Sequence, residues 1–436
     1  MNRYSSYSKS PLEWMGVIPS HWIYTKNRFG FKKWKNGKNE SDETLVLSLT
    51  IKGIKIKEDL SFGKSTESYI GHQLVEKGDI VFTPRDFDQT PILSDVSKYD
   101  GCISNLYIVD KTNERVLNHY INYYWYGLKY SVDYFKNFSY GIRFSFNRFQ
   151  FDEIPLLIPP LEEQTQIVSF LDTKTKKIDE LIEKTEQKIE LLKEKRTSLI
   201  NHCVTKGLNP NVEMKDSGVE WIGEIPSGWD VKKLKYVSDI FSSSVDRHIH
   251  EDEIQVSICH YPDVYNNEFI NDEIELNKGS CSEVEFQRYI LKKGLVILTK
   301  DSETPDDIGN PCYVEIDFDN VVCGYHLTII ENNDINVNSK FLFRFIQSDK
   351  VRCHFETESR GITRFSLGKS KIENLFVNLP SYSEQTQIVE YLDEQTQKID
   401  STIEKETQRI ELLKEYRQSL ISEVVTGKID VRDYNG

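Results

Sequence analysis

The stretch Glu163–Val168, Glu-Gln-Thr-Gln-Ile-Val, returns unchanged as Glu384–Val389, 221 positions later. The match continues for about forty residues at the same offset, and Ile189–Glu194 recurs as Ile410–Glu415. Neither copy contains Gly or Pro, and both are rich in Glu, Lys, Gln, Leu and Ile. This composition predicts two long helices over residues 162–203 and 383–424, and the duplication sets the organisation of the whole chain.

Apolar residues follow one narrow stripe along each predicted helix, at alternating spacings of four and three. The stripe is Ile178, Ile182, Ile189, Leu192 and Leu199 in the first copy, and Ile399, Ile403, Ile410, Leu413 and Leu420 in the second. Thr185 and Glu406 interrupt it, as do Arg196 and Arg417. So narrow a stripe needs a partner helix. A homodimer zipper is one solution, but two matching helices in one chain favour an intramolecular antiparallel coiled coil with a pseudo-twofold repeat.

A second echo lies upstream of the helices. Glu13–Ser20 reappears as Glu220–Ser227, at an offset of 207. Between the echoes the two halves barely resemble each other. Both contain short strand-like runs, namely 45–49, 79–83, 102–109, 294–299 and 321–330, and helical patches at 117–129 and 340–355. The predicted fold class is α+β, with globular domains over 1–155 and 210–376 and helical spacers over 156–209 and 377–436.

Composition narrows the functional classes. The formal net charge of −14 counts mildly against nucleic-acid binding, because phosphate contacts need Lys and Arg. The seven cysteines are scattered without CxxC spacing, which favours free thiols in a reducing compartment. No apolar run approaches membrane-spanning length, and the polar start lacks a signal-peptide core. We therefore expect a cytoplasmic protein.

The junction Leu208–Pro226 and the helix entry Pro159–Gln164, Pro-Pro-Leu-Glu-Glu-Gln, carry a family resemblance. Over essentially its whole length the chain resembles the specificity subunit of type I restriction-modification systems. Several motifs of these subunits occur in it in the expected order. The second helix entry departs from the pattern and reads Pro-Ser-Tyr-Ser-Glu-Gln from Pro380 to Gln385, which leaves the Glu-Gln pair intact.

The resemblance implies that this chain recognises DNA and that partner subunits perform the chemistry. The two inserts would be target-recognition domains, each reading one half of a split, asymmetric sequence in double-stranded DNA. The helices would set the gap between the half-sites. They would also dock two modification subunits, which methylate adenine, and the restriction subunits. The chain itself would hold no cofactor and perform no catalysis, with the methyl donor, ATP and Mg on the partner subunits.

Basic residues in predicted loops are the candidate DNA contacts. The segment 26–39 holds six basic residues and no acidic one, with aromatic residues among them, although a solvated loop would have the same composition. Arg85 follows a predicted strand and could contact a base or pair with Asp86 or Asp88. The full candidate set is Lys32, Lys33, Trp34, Lys35, Arg85, Arg143, Arg148, Lys300, Ser302, Arg360, Arg364 and Lys369.

Other activities have weaker support in the sequence. The segment Asn310–Tyr313 resembles an adenine methyltransferase motif, but no glycine-rich cofactor loop precedes it. The group His248, His250, Cys259 and His260 lacks the second matched pair of a structural zinc site. The alternative from another class is a coiled-coil scaffold that reads no DNA, or a silent or regulatory copy of a specificity subunit.

Overall fold

The computed structural model describes residues 2–32, 37–57, 68–85, 92–132, 134–135, 145 and 147–434, and the side chains within this set except those of 131–132. By its contacts the chain divides into two compact units. The first unit is Met1–Glu186 together with Thr407–Gly436, and the second unit is Gln187–Glu406. The four-part division of the sequence given above stays a prediction.

The chain up to the end of the first long helix forms eleven named strands and three helices within the described residues. They are β1 (Tyr7–Lys9), β2 (Val17–Pro19), β3 (Ile23–Lys26), β4 (Leu47–Thr50), β5 (Gly53–Ile56), β6 (Gln73–Val75), β7 (Ile80–Phe82), β8 (Ser94–Val96), β9 (Gly101–Ile103), β10 (Ile108–Asp110), α1 (Asn118–Val132), α2 (Arg148–Asp152), β11 (Pro155–Ile158) and α3 (Leu161–Lys206).

The rest of the chain forms fifteen strands and six α-helices within the described residues. Its elements are β12 (Met214–Asp216), β13 (Glu224–Pro226), β14 (Asp230–Lys233), β15 (Ser238–Ser242), β16 (Ile254–Cys259), α4 (Tyr261–Asn266), β17 (Phe269–Ile270), β18 (Asn277–Cys281), α5 (Glu283–Tyr289), β19 (Val296–Thr299), β20 (Asp301–Ser302), β21 (Pro311–Val314), β22 (Val321–Cys323), β23 (Leu327–Asn332), α6 (Ser339–Ile346), α7 (Asp349–Glu358), β24 (Arg360–Gly361), β25 (Phe365–Ser366), α8 (Lys369–Glu373), β26 (Phe376–Leu379) and α9 (Tyr382–Val425).

The two inserts share a strand arrangement despite their unlike sequences. In the first unit β7 lies between β10 and β8, antiparallel to both. In the second unit β19 lies between β23 and β21 in the same way, within the five-stranded sheet β15-β23-β19-β21-β17. The hairpin β4-β5 likewise corresponds to the pair β16-β18. These central strands are fully buried, so apolar pattern rather than residue identity maintains the arrangement.

Within each unit the long helices α3 and α9 run antiparallel. In the first unit Arg417 donates to Asp179 at 2.8 Å, and the ring of Phe170 packs against that of Tyr434. In the second unit Arg196 donates to Asp400 at 2.8 Å, and Lys188 donates to Glu406 at 2.5 Å. The fold-class prediction is confirmed, and the arginines that interrupt the apolar stripe form ion pairs between the two helices.

The predicted stripe residues lie on the protected face of both helices. Five are buried, namely Ile178, Ile189, Ile399, Ile410 and Leu420, and five are half-buried, namely Ile182, Leu192, Leu199, Ile403 and Leu413. Thr185 is also buried, and its hydroxyl donates to the carbonyl of Leu181 in its own helix. A threonine on the stripe thus satisfies its polar atom locally, without a partner on the other helix.

The buried glutamine of the repeated Glu-Gln pair fastens each insert to its long helix. The Gln164 side chain accepts from the Leu117 amide at 2.8 Å and donates to the carbonyls of Arg115 and Pro159, both at 2.8 Å. Gln385 makes the same three bonds in the second unit. It accepts from Asn338 and donates to Asn336 and Pro380, at 2.8, 3.0 and 2.9 Å.

The second echo packs against the ends of the long helices. Gly427 follows α9 with φ 75°, and a Cβ there would collide with Pro19, with Trp22 close beside it. Gly207 follows α3 with φ 76° and lies against Trp229, which occupies the position matching Trp22. The left-handed conformation and the close tryptophan explain why each helix ends on glycine.

A further attachment differs between the units. In the first unit the Tyr123 hydroxyl donates to Asp172 at 2.7 Å. At the matching position of the second unit stands Arg344, only 1% exposed, which pairs with Asp393 at 3.1 Å and also with Glu268. Arg196 of α3 binds that same glutamate. The second insert is therefore held on its helices by a charge network in which Arg344 is buried and its partners are partly exposed.

Three predicted segments are each interrupted in the structure. The run 102–109 divides into β9 and β10, the run 321–330 into β22 and β23, and the patch 340–355 into α6 and α7. In the second unit the break between strands falls at Gly324-Tyr325-His326, where His326 has φ 68°. A left-handed residue cannot continue an extended strand, so the chain turns there.

Candidate nucleic-acid interface

Four of the predicted contacts in the second unit come together on one small sheet, in the order β20-β25-β24. Ser302 lies opposite Phe365, and Arg360 lies opposite Ser366. The amide of Leu367 donates to the carbonyl of Lys300 at 2.8 Å. Lys300, Ser302, Arg360 and Arg364 therefore lie close together although Ser302 and Arg360 are 58 positions apart in the sequence.

These candidates differ in how free their polar groups are. Arg360 and Arg364 are exposed, so their guanidinium groups can reach a ligand. Ser302 is buried, and its hydroxyl accepts from the Thr304 amide at 3.3 Å. Lys369 begins α8 and pairs with Glu373 at 3.4 Å. Of the predicted residues in the second unit, the two arginines are the best placed for contact with phosphate or base.

A cleft of about 890 Å³ lies beside this sheet. Its lining comprises Tyr261, Pro262, Tyr265, Asp301, Ser302, Glu303, Thr304, Asp307, His326, Thr363 and Arg364. His326 is the one non-glycine residue with a left-handed φ in the described part of the chain. Its Nδ1 lies 2.6 Å from the Asp301 carboxylate, which orients the ring at the edge of the cleft.

The lining of the cleft includes the carboxylates of Asp301, Glu303 and Asp307. The Tyr265 hydroxyl donates to Asp307 at 2.8 Å, and this bond raises the pKa of the tyrosine. The rings of Tyr261 and Tyr265 stack with their centroids 5.7 Å apart. Carboxylates accept hydrogen bonds from the exocyclic amino groups of bases, whereas they repel phosphates. The cleft is thus suited to base edges and the arginines beside it to the backbone.

In the first unit the structure describes three of the seven predicted contacts. Lys32 is exposed, and Arg85 is exposed and lies opposite Ser145 in an isolated bridge. Arg148 begins α2 and donates to Asp110 at 2.8 Å and to Asp152 at 2.9 Å, so its charge is already balanced. The predicted contacts that lie outside the described residues are Lys33, Trp34, Lys35 and Arg143.

Matching positions of the two units carry different chemistry. Arg85 faces Ser145 in the first unit, while Asp301 faces Ser366 in the second. At the strand break the first unit has Asn105 where the second has His326. Asn105 accepts from Lys38 at 2.6 Å and donates to the Gly71 carbonyl at 3.1 Å. The same strand arrangement thus carries two different sets of side chains in the two units.

His326 and the cleft were missed in the sequence. The residue stands in a run of apolar residues that reads as one strand, and its partner Asp301 is 25 positions away. The preceding Gly324 was the available signal, since glycine inside a strand pattern marks a break or a close approach. A Cβ on Gly324 would stand 3.0 Å from the Cys259 carbonyl oxygen.

The described residues contain no group of three or more His, Cys, Asp or Glu arranged to hold a metal ion. No helix within that part of the chain combines the length and apolarity needed to cross a membrane.

A family model described as type I restriction modification DNA specificity domain matches residues 32–191 and 226–414. The chain belongs to this family. This family is the non-catalytic DNA-recognition component of type I restriction-modification systems.

Two curated relatives come from Methanocaldococcus jannaschii. The type I restriction enzyme MjaVIII specificity subunit is 26% identical over 296 residues, covering 65% of this chain and 64% of the relative. The putative type I restriction enzyme MjaX specificity subunit is 25% identical over 292 residues, covering 66% and 62%. The matched part therefore spans less than two thirds of the length of these specificity subunits.

Two solved structures share the fold. A chain from a structure on complex assembly and conformational transition of the type I R-M system has a TM-score of 0.70 at 13% identity, covering 94% of this chain and 99% of that one. The HsdS subunit from Thermoanaerobacter tengcongensis has a TM-score of 0.53 at 14% identity, covering 97% and 100%. At these identities the likeness shows a common fold.

Proposed function

We propose that this specificity subunit reads a bipartite, asymmetric target in double-stranded DNA, with one half-site for each insert. The observation that carries the proposal is the contrast between Arg85 and Asp301 at matching backbone positions. Two inserts with the same strand arrangement but different side chains suit recognition of two different DNA sequences. Joining two weak contacts raises affinity only when their spacing lets both engage, which suits a pair of continuous long helices.

The proposal includes partners that perform the chemistry. Two modification subunits and the restriction subunits dock on the chain in the cytoplasm. The methyl donor, ATP and Mg belong to those partners. Exposed leucines at matching positions of the helical repeat support docking at two similar places, because Leu191 and Leu412 are 64% and 65% exposed.

Mapping methylated adenines in DNA exposed to the assembled complex tests this function. We expect methylation at one split sequence with unlike halves. Exchanging residues 210–376 for the insert of another family member should change one half-site only. The matched exchange of residues 1–155 should change the other half-site only.

Two results would contradict the proposal. An insert exchange that alters both half-sites, or neither, would remove the assignment of one half-site to each insert. A complex that assembles normally but methylates no defined sequence would identify the chain as a scaffold or a silent copy.

A further inference from the structure

The hairpin formed by β24 and β25, residues 360–366, presents an apolar side chain at its tip. Ile362 is 95% exposed. Gly361 lies opposite Phe365, and a Cβ on that glycine would collide with the backbone of Arg364. The turn therefore closes this tightly only with glycine. Because β25 also pairs with β20, the hairpin is held on the sheet beside the cleft.

Two positive charges flank this apolar tip. Arg360 and Arg364 are exposed, and neither forms an ion pair with any residue that the structure describes. An isolated exposed isoleucine is common on protein surfaces. An isoleucine between two exposed arginines is complementary to double-stranded DNA, where stacked bases lie between two rows of phosphates.

The same short pattern occurs in the first insert. Gly141-Ile142-Arg143-Phe144-Ser145 corresponds to Gly361-Ile362-Thr363-Arg364-Phe365-Ser366, with one residue more in the second turn. Residues 141–144 lie outside the described part of the chain, but Ser145 faces Arg85 as Ser366 faces Asp301. A feature common to two otherwise unlike inserts suits a contact that does not depend on base identity.

We propose that Ile362 is a wedge that packs against a base step of the second half-site from the minor groove. Arg360 and Arg364 contact the phosphates on either side. This inference rests on the proposed function and adds a contact that recognises DNA shape rather than sequence. Apolar side chains at base steps partly unstack the bases, which lets the duplex bend toward the protein. The neighbouring cleft with His326 is then left to distinguish bases.

The test compares Ile362→Ser with Ile335→Ser in the assembled complex. Ile335 is 91% exposed, lies in the same unit and follows the acidic Asp334, so it is a matched exposed isoleucine without the arginines. Target duplexes carry 2-aminopurine at successive positions of the second half-site, and its fluorescence reports unstacking. We expect the wild type and Ile335→Ser to raise the signal at one step. Ile362→Ser should abolish that signal and weaken binding about tenfold.

A second variant tests the phosphate contact. Arg364→Gln should weaken binding to matched and mismatched duplexes alike, and lower the slope of log affinity against log salt by about one. A change confined to the matched duplex would instead make Arg364 a base contact and overturn this part of the proposal.

The outcomes separate the wedge from the proposed function. Unchanged affinity and unchanged 2-aminopurine signal in Ile362→Ser would overturn the wedge while the DNA-reading function stands. Loss of modification-subunit assembly in that variant would show that the hairpin contacts a protein, which also overturns it. A wild-type complex that binds no defined duplex would overturn the proposed function itself.

Discussion

Replacing Gln385 with methionine should detach the second insert from its long helix. Methionine keeps the length of the side chain but removes the amide that forms three buried hydrogen bonds, with Asn338, Asn336 and Pro380. At about 1 kcal/mol net for each bond, the free energy of unfolding should fall by about 3 kcal/mol. For a unit of this size that corresponds to a decrease in Tm of about 6–12 °C.

The matched control is Gln387→Met, two residues along the same helix, where the glutamine is exposed. Thermal unfolding compares the two variants, and amide hydrogen exchange gives a local reading. The Asn338 amide donates to Gln385, so it should exchange faster in Gln385→Met and remain protected in Gln387→Met. Equal Tm values, together with an Asn338 amide that stays protected in both variants, would refute the fastening role of the glutamine.

Three further predictions concern charges and thiols. Burial raises the pKa of Asp110, and Arg148 opposes that rise. Arg148→Ala should therefore lower the free energy of unfolding by about 1–3 kcal/mol near pH 7. The difference from wild type should shrink as acid protonates the Asp110 carboxyl group. Urea unfolding at pH 7 and pH 4.5 measures this difference, and a difference independent of pH would contradict the prediction. Asp179→Lys should destabilise the first unit by about 1 kcal/mol. Adding Arg417→Glu to that variant should restore part of the lost stability. A double variant no more stable than Asp179→Lys alone would show that the ion pair is not the cause. In the native protein a thiol reagent should modify Cys353 first, since the other six cysteines are buried; mass spectrometry that finds another cysteine labelled equally fast would contradict the burial.

Much of the fold follows from the helical repeat alone. The spacing of Ile178 and its successors, together with the second copy, predicts two helices that need each other. The predicted spans 162–203 and 383–424 become Leu161–Lys206 and Tyr382–Val425. The prediction succeeds because the signal is long and periodic, and an apolar stripe in water must be covered.

The candidate interface depended far more on tertiary structure. The sequence identified Arg360 and Arg364 as basic residues in predicted loops, but it gave no sign that Ser302 would be buried or that Arg148 would be balanced by Asp110. Both outcomes depend on neighbours supplied by other elements of the fold. Charge is a property of one residue, whereas availability for contact is a property of its surroundings.

By itself, then, the sequence determined the duplicated helical frame, the alternation of frame and insert, and the family. The tertiary structure decided which repeated residues hold the inserts in place and where a cleft lies beside the basic residues. Gln385 and Gln387 stand in the same repeated segment Glu384–Val389, yet one is buried with three hydrogen bonds and the other is exposed. His326 and Asp301 meet only because a turn brings two strand ends together. Periodicity is a local property that a sequence displays directly, while a hydrogen bond between distant residues exists only after the chain has folded.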